Sequence, residues 1–143
     1  MAYSVRVNAS PAELWQIAAN PHRHHELDGS GSIGSRATGP QALHEGDTFT
    51  VQTTRYGLTY ALPMRVTESV PDRVIEFHHP VGFRWRWEFQ PDPEQSGASI
   101  ATETFDYSHV SPLVLRFLTR MNVFAENERS ILDSLQGLHA RWA

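Results

Sequence analysis

The chain has 143 residues, a net charge of −4 and 40% hydrophobic residues. This length predicts one domain, residues 1–143, large enough to bury a core, and the negative charge argues against a nucleic-acid binder. The absence of cysteine excludes disulfides and thiolate metal sites. We expect a cytoplasmic protein, because no signal peptide or membrane-spanning run is recognisable in the sequence.

The first part of the chain predicts a strand followed by two short helices. Apolar and polar residues alternate over positions 2–8, the period of a half-buried strand. Residues 10–13 read Ser-Pro-Ala-Glu, a capping box with proline at the first helical position, so the first helix should begin there and end near position 20. A second short helix is predicted from position 21 to about position 27.

Residues 32–107 predict strands joined by short turns. The clearest strand carries Phe83, Trp85, Trp87 and Phe89 on one face and Arg84, Arg86 and Glu88 on the other. The aromatic face should point to the interior and the charged face to solvent. Because strand follows strand through short turns, the sequence favours an antiparallel sheet and an α+β class.

Residues 111–142 predict one continuous amphipathic helix. Ser111 is a suitable N-cap, Pro112 fits the first helical position, and apolar residues recur at three- and four-residue steps up to Trp142. The first half is apolar on nearly all sides, so we expect it to be covered on more than one side. With few other helices available, the sheet must curve around this helix, and function is expected in the space between them.

Several motifs occur in an order typical of one superfamily. They are S-P-A-E-L-W at 10–15, His25 with D-G-S-G at 28–31, the Gly46-Asp47 turn, R-W-R-W-E at 84–88, and Thr104 with Asp106. In these features the chain resembles the START-like superfamily, also called the helix-grip fold or the polyketide cyclase/dehydrase-like (SRPBCC) family. The resemblance implies a seven-stranded antiparallel sheet curved around a long C-terminal helix, two short helices between strands 1 and 2, and a hydrophobic cavity. Members bind lipids, hormones or polyketides, some catalyse cyclisation or dehydration, and others assist chaperones or carry quinone-like lipids.

Two further patterns suggest ligand sites but are better explained otherwise. The G-x-G-x-x-G at 29–34 follows a predicted helix and leads into a strand, the reverse of a dinucleotide fingerprint, so we interpret it as a turn. A patch rich in histidine and carboxylate lacks the spacing of a zinc motif, and we predict neither a metal nor a cofactor. This patch contains His22, His24, His25, Glu26 and Asp28.

The last strand, residues 98–107, has two possible inner faces. One carries Ile100, Thr102, Thr104 and Asp106, and the other carries Ala101, Glu103, Phe105 and Tyr107. One residue of register exchanges them. By analogy with the family we expect the first face inside. The candidate catalytic acids or bases are therefore Asp106, with His25 at the rim and His78 on a neighbouring strand. His78 and His79 point to opposite faces of that strand, so one of the two should reach the cavity.

We predict that the cavity binds a hydrophobic small molecule, such as a lipid, a polyketide or another flat apolar ligand. Two alternatives stay open: a polyketide cyclase or dehydratase-type enzyme, and a chaperone- or ribosome-associated interaction protein. We expect a monomer or homodimer without nucleic acid or a membrane span. The predicted ligand-binding residues are Leu27, Asp28, Phe49, Val51, Tyr60, Leu62, Met64, Phe77, Trp85, Trp87, Thr102, Thr104, Phe117, Met121 and Phe124.

Overall fold

The computed structural model describes residues 1–28, 31, 33–55 and 57–143. Along the chain, one strand is followed by short helices, a run of strands and two C-terminal helices, which is the α+β class that the sequence predicts. The elements are β1 (Ala2–Val7), α1 (Pro11–Ala18), a 3-10 helix (Pro21–Glu26), β2 (Ile33–Thr38), β3 (Thr48–Arg55), β4 (Leu58–Val70), β5 (Val74–His78), β6 (Arg84–Pro91), β7 (Ser99–Asp106), α2 (Pro112–Arg120) and α3 (Val123–Arg141).

The seven strands form one antiparallel sheet in the order β1-β7-β6-β5-β4-β3-β2. Strands β2 to β7 are a meander, and β1 pairs with β7, so β1 and β2 form the two edges. Helix α1 and the 3-10 helix therefore carry the chain from one edge of the sheet to the other. Helix α3 packs against β1 and β7. This is the helix-grip architecture expected from the resemblance, and the predicted seven-stranded antiparallel sheet is confirmed.

The two short helices begin where the sequence predicts. The Ser10 side chain accepts a hydrogen bond from Glu13 N at 3.2 Å and caps α1. The Asn20 side chain accepts from His22 N at 3.0 Å and starts the 3-10 helix. Trp15 Nε1 donates to the backbone oxygen of Val74 at 2.9 Å, which ties α1 to β5.

Strand β6 has the predicted alternation between core and surface. Phe83, Trp87 and Phe89 are buried and Trp85 is half-buried on the inner face. On the outer face, Arg86 forms ion pairs with glutamates of β4, β5 and β6. On the inner face, the large apolar residues of this strand are removed from water, and this burial is the main driving force for closing the sheet.

The expected inner face of β7 is wrong. Glu103 and Phe105 point to the interior with 2% and 0% exposure, whereas Thr102, Thr104 and Asp106 are half-buried on the outer face. The reason is pairing: Glu103 lies opposite Trp87 of β6 and Phe105 lies opposite Trp85. Directly opposed residues share a face of the sheet. The inner face of β6 therefore determines the inner face of β7.

The single long helix predicted for residues 111–142 is also wrong. Ser111 Oγ accepts from Val114 N at 3.4 Å and caps α2 as expected, but the helix ends at Arg120. Asn122 then adopts a left-handed conformation with φ 59° and ψ 27°, and α3 begins at Val123. Asparagine is one of the few residues other than glycine that tolerate this conformation. The C-terminal helix is therefore divided into α2 and α3 at residues 121–122.

The expected coverage of α2 on more than one side is not found. Leu113 is 77% exposed, Phe117 is 61% exposed and Met121 is 41% exposed. Among elements of the described chain, α2 packs mainly against α3. Within these described residues, neither α2 nor any other helix combines the length and the hydropathy that crossing a membrane would require.

Candidate functional site

A cavity of about 400 Å³ lies between the inner face of the sheet and helices α2 and α3. This volume is within the range of small-molecule sites. Its walls are mainly aliphatic and aromatic, with contributions from β3 to β7, the 3-10 helix region and both C-terminal helices. The side chains at its mouth include Leu58, Tyr60, Val81, Phe117 and Met121, which are all substantially exposed.

Most of the predicted ligand-binding residues line this cavity. The twelve that do are Leu27, Asp28, Phe49, Val51, Tyr60, Leu62, Met64, Phe77, Trp85, Trp87, Phe117 and Met121. Thr102 and Thr104 are on the outer face of β7 instead. Phe124 packs on the rings of Phe105 and Tyr107, at centroid distances of 6.2 and 4.7 Å. The position of the site was therefore predictable from alternation in the sheet, and ligand binding by these residues stays a prediction.

None of the three predicted catalytic residues is a cavity-lining residue. Asp106 Oδ1 accepts from Ser108 N at 2.9 Å and from Ser108 Oγ at 2.6 Å, and these bonds lower the pKa of its carboxyl. Asp106 thus caps the turn after β7. His25 is exposed, and His78 is on the opposite face of β5 from the cavity-lining Phe77. The expectation that Asp106 and His78 point into the cavity is wrong, and a catalytic role of His25 at the rim stays a prediction.

Two other histidines, His24 and His79, line the cavity. Each is the immediate neighbour in the sequence of a predicted catalytic histidine, His25 or His78. His24 Nε2 donates to the backbone oxygen of Ala18 at 2.7 Å, and its ring contacts Phe49 and Phe77 at centroid distances of 5.5 and 5.1 Å. Burial lowers the pKa of His24 to about 4, so the ring is neutral at neutral pH and is a wall of the cavity.

His79 is a similar wall group near the mouth. Its ring stacks on Phe83 at a centroid distance of 4.1 Å, and its Nδ1 accepts from Val81 N at 3.0 Å. Burial, reinforced by the nearby Arg55, lowers the pKa of His79 to about 4. Two-residue spacing places His79 on the same side as Phe77, and this signal in the sequence could have identified it.

Glu103 is the polar group that the inner face of β7 contributes to the cavity. Its Oε2 accepts a hydrogen bond from Trp85 Nε1 at 2.6 Å, and its Oε1 is buried without a hydrogen-bond partner among the described residues. Burial raises the pKa of Glu103 well above its ordinary value. The indole hydrogen bond opposes this shift and the charge of Asp28 adds to it. The site therefore favours the neutral carboxyl.

Helix α3 contributes a polar stripe to the opposite side of the same cavity. Asn127, Ser130 and Ser134 line it and are all buried. Asn127 Oδ1 accepts from Arg55 Nη2 at 3.4 Å, while Asn127 Nδ2 has no hydrogen-bond partner in the described part of the chain. Sequence reasoning missed these residues, although their three- and four-residue spacing puts them on one helix face.

The histidine- and carboxylate-rich patch lies mainly in the 3-10 helix, and the G-x-G-x-x-G follows it in the sequence. Gly29, Ser30 and Ser32 of the G-x-G-x-x-G lie outside the described residues, and its last residues, Ile33 and Gly34, belong to β2. The motif thus leads into a strand, as predicted. Of the neighbouring patch, Glu26 pairs with Arg23 and Arg141. No three acidic or histidine side chains of the described residues are arranged to hold a metal ion.

No protein-family model matches this chain. The uncharacterized protein Rv0088 of Mycobacterium tuberculosis is 43% identical over 142 residues, which cover 98% of this chain and 62% of the relative. The chain therefore spans less than two thirds of that protein.

Two solved structures share the fold over nearly the whole chain. Protein NE0264 of Nitrosomonas europaea has a TM-score of 0.69 at 14% identity, covering 99% of this chain and 94% of that one. The di-domain ARO/CYC BexL from the BE-7585A biosynthetic pathway has a TM-score of 0.69 at 17% identity, covering 98% of this chain and 45% of BexL. At these identities the similarity shows the fold, a curved antiparallel sheet with a C-terminal helix, and the chain shares it with both proteins.

Proposed function

We propose that this chain binds an apolar small molecule in the cavity between the sheet and helices α2 and α3. The observation that carries the proposal is a volume of about 400 Å³ lined mainly by aliphatic and aromatic side chains with a few polar groups. Small-molecule sites have this composition. The resemblance to the START-like superfamily and the fold shared with an ARO/CYC protein support a lipid, a polyketide or another flat apolar molecule as the ligand. A cytoplasmic location is part of this proposal, and the lack of cysteine is compatible with it.

The mouth of the cavity supports entry of such a ligand. Leu58, Tyr60, Val81, Phe117 and Met121 surround it and are between 41% and 68% exposed. An apolar molecule that approaches this rim meets apolar side chains before it reaches the interior. Exposed apolar patches of this kind commonly mark binding surfaces.

A thermal-stability screen against lipids, polyketides and flat aromatic molecules tests the proposal. A ligand at 100 times its Kd should stabilise the fold by about 2.7 kcal/mol. Leu62→Trp should abolish the shift by filling the cavity that Leu62 lines. Leu132→Trp is the matched control, since Leu132 is 45% exposed on α3 and is not part of the lining. No shift with any apolar class, or an unchanged shift in Leu62→Trp, would contradict the proposal.

A second candidate is an enzyme of the cyclase or dehydratase type, and Glu103 is the observation that favours it. A carboxyl whose pKa is raised by burial can serve as a general acid. In the dehydration of a β-hydroxy ketone, its proton would pass to the departing hydroxyl, which leaves as water when the C–O bond breaks. The carboxylate so formed would take the α-proton as the C=C bond forms, which restores the acid. Mass spectrometry of a β-hydroxy ketone incubated with the protein tests this. Glu103→Gln should slow water loss at least about 100-fold. Equal conversion by the protein and this variant would eliminate the candidate.

A further inference from the structure

Two buried polar atoms of the cavity have hydrogen-bonding capacity that the described chain does not use. They are Glu103 Oε1, on strand β7, and Asn127 Nδ2, on helix α3, and both residues are 2% exposed and line the cavity. Buried polar groups are nearly always paired in native proteins because an unpaired one costs free energy. Two such atoms, both on residues that line the same cavity, therefore indicate polar groups on whatever occupies it.

The hydrogen bond between Trp85 and Glu103 indicates which carboxyl oxygen carries the proton and can donate to a ligand. The Trp85 indole N–H donates to Glu103 Oε2 at 2.6 Å, so Oε2 acts as the acceptor. In the neutral carboxyl, which burial favours, the proton then belongs on Oε1. The sheet side of the cavity consequently presents an O–H donor.

The amide of Asn127 is oriented in a similar way by Arg55. Arg55 Nη2 donates to Asn127 Oδ1 at 3.4 Å, which assigns the carbonyl side of the amide to the guanidinium. The amino group, Nδ2, is left as the donor toward the cavity. The helix side therefore also presents a donor, and both unused groups seek acceptors.

We infer that the ligand is an uncharged apolar molecule with an acceptor oxygen of the carbonyl type, which accepts from Glu103 Oε1 while Asn127 Nδ2 is available to a second acceptor. This inference rests on the proposed function and names the ligand class for the same cavity. A pure hydrocarbon would leave both donors without partners. A carboxylate beside Glu103 would add a negative charge to a part of the cavity where Asp28 already disfavours one. Arg55 also lines the cavity, but its Nη2 donates to Asn127 Oδ1 on the helix side.

Three probes with the same ring system test this: fluorene, fluorenone and a fluorene carboxylate. Trp85 and Trp87 line the cavity, so quenching of tryptophan fluorescence reports occupancy. Fluorenone should bind at least about tenfold more tightly than fluorene, which differs from it only by the carbonyl group. The carboxylate should bind more weakly than fluorenone.

Variants of Glu103 assign the preference to this side chain. Glu103→Met keeps a similar volume without a donor, and fluorene and fluorenone should then bind equally well. Glu103→Gln keeps an N–H donor and should retain most of the preference. Asn127→Leu should weaken anthraquinone, which has two carbonyls, more than it weakens fluorenone. Glu126→Gln, an exposed position on α3 outside the cavity lining, is the matched control and should change nothing.

The outcomes separate this inference from the proposed function. If fluorene and fluorenone bind the unmodified protein with equal affinity, the acceptor requirement is overturned while apolar binding stands. If the carboxylate binds most tightly, or if Glu103→Met keeps the preference for the ketone, the inference is likewise overturned. If none of the probes binds, the inference is overturned, and the thermal-stability screen decides separately whether the proposed function stands.

Discussion

Strands β5, β6 and β7 bury a glutamate on each of their two faces, in opposite surroundings. On the outer face, Glu76 is 7% exposed and lies 3.2 Å from Arg86 Nη1 and 3.5 Å from Arg84 Nη1. On the inner face, Glu103 is 2% exposed, and the indole of Trp85 is its hydrogen-bond donor. A buried carboxylate is tolerated beside opposite charges, whereas a carboxyl without them is shifted toward its neutral form.

The comparison teaches that the buried glutamate of the outer face has charged partners within the protein and that of the inner face has none among the residues that the structure describes. Burial disfavours the charge of Arg86, but its hydrogen bonds to Glu68, Glu88 and Glu76 outweigh this and raise the pKa of the guanidinium. These groups satisfy one another. On the inner face, by contrast, Glu103 keeps an unused oxygen beside a cavity. The outer face therefore pairs its buried carboxylate within the protein, and the inner face leaves a carboxyl oxygen available to the ligand that we propose.

The largest expected effect comes from the inner face of β7. Phe105 is fully buried and its ring contacts Phe83 and Trp85 at centroid distances of 4.5 and 5.3 Å. Phe105→Ala should lower the free energy of unfolding by about 3–5 kcal/mol because it leaves a cavity in the core. Denaturant unfolding measures this. Thr104→Ala, on the outer face one residue away, should cost less than about 1 kcal/mol. Similar losses in both variants would contradict the assignment of faces.

The sequence predicts the inner face of β6 but not that of β7, and the difference has a physical cause. In β6 one face is wholly aromatic and the other carries three charges, so alternation alone is sufficient. In β7 each face mixes types, with Glu103 beside Phe105 on one and Thr104 beside Asp106 on the other. Pairing with β6 decides between them, and pairing is a long-range contact that local alternation does not contain.

The C-terminal helices show the same limit. The sequence predicts where α2 begins, because Ser111 and Pro112 are local signals, and α3 ends close to the predicted end. The break at Asn122 has no proline or glycine to announce it. A helix drawn without that break assigns the apolar residues of α2 to the core and leaves undetermined the rotation of α3 that brings Asn127 to the cavity. Cavity residues on strands were therefore easier to predict than those on helices.

A smaller loss in the free energy of unfolding is expected when the positive charge of Arg86 is removed from the outer face. Arg86→Met deprives Glu76 of the closer of its two arginine partners, and hydrogen bonds to charged groups contribute about 1.5–3 kcal/mol. The free energy of unfolding should fall by that amount. Arg36→Met, at an exposed position on β2, is the control and should change stability by less than about 0.5 kcal/mol. An equally small effect of Arg86→Met would show that the network contributes little.

Glu103→Gln should become more stable relative to the unmodified protein as the pH rises, whereas Arg86→Met should lower stability. Because burial raises the pKa of Glu103 above its ordinary value of 4.5, the unfolded state loses this proton first as the pH rises. The protein should then lose up to about 1.4 kcal/mol per pH unit relative to the variant between 4.5 and the folded-state pKa. Denaturant unfolding from pH 4 to 7 measures the difference, in which the titrations of His24 and His79 cancel.

Glu76→Gln is the matched substitution on the outer face for that experiment. It removes a carboxylate that lies beside two arginines, so it should destabilise the protein at neutral pH. Glu103→Gln should instead become more favourable as the pH rises. A gain in stability from both substitutions at neutral pH would show that the two faces do not differ in the way described.

The smallest effect is expected from Asp106→Asn, on the outer face three residues beyond Glu103. Asparagine keeps the acceptor oxygen for Ser108, so at neutral pH stability should change by less than about 0.5 kcal/mol and ligand affinity should not change. The hydrogen bonds from Ser108 lower the pKa of Asp106 below 3.8, so its stabilising contribution is present above that value and is lost as the pH falls through the folded-state pKa. Between pH 2 and 5, the free energy of unfolding of Asp106→Asn should therefore fall relative to that of the unmodified protein as the pH rises. That of Glu103→Gln should instead rise relative to the unmodified protein above pH 4.5. Two acid-to-amide substitutions on one strand would then differ in sign because one side chain faces the cavity and the other faces the turn.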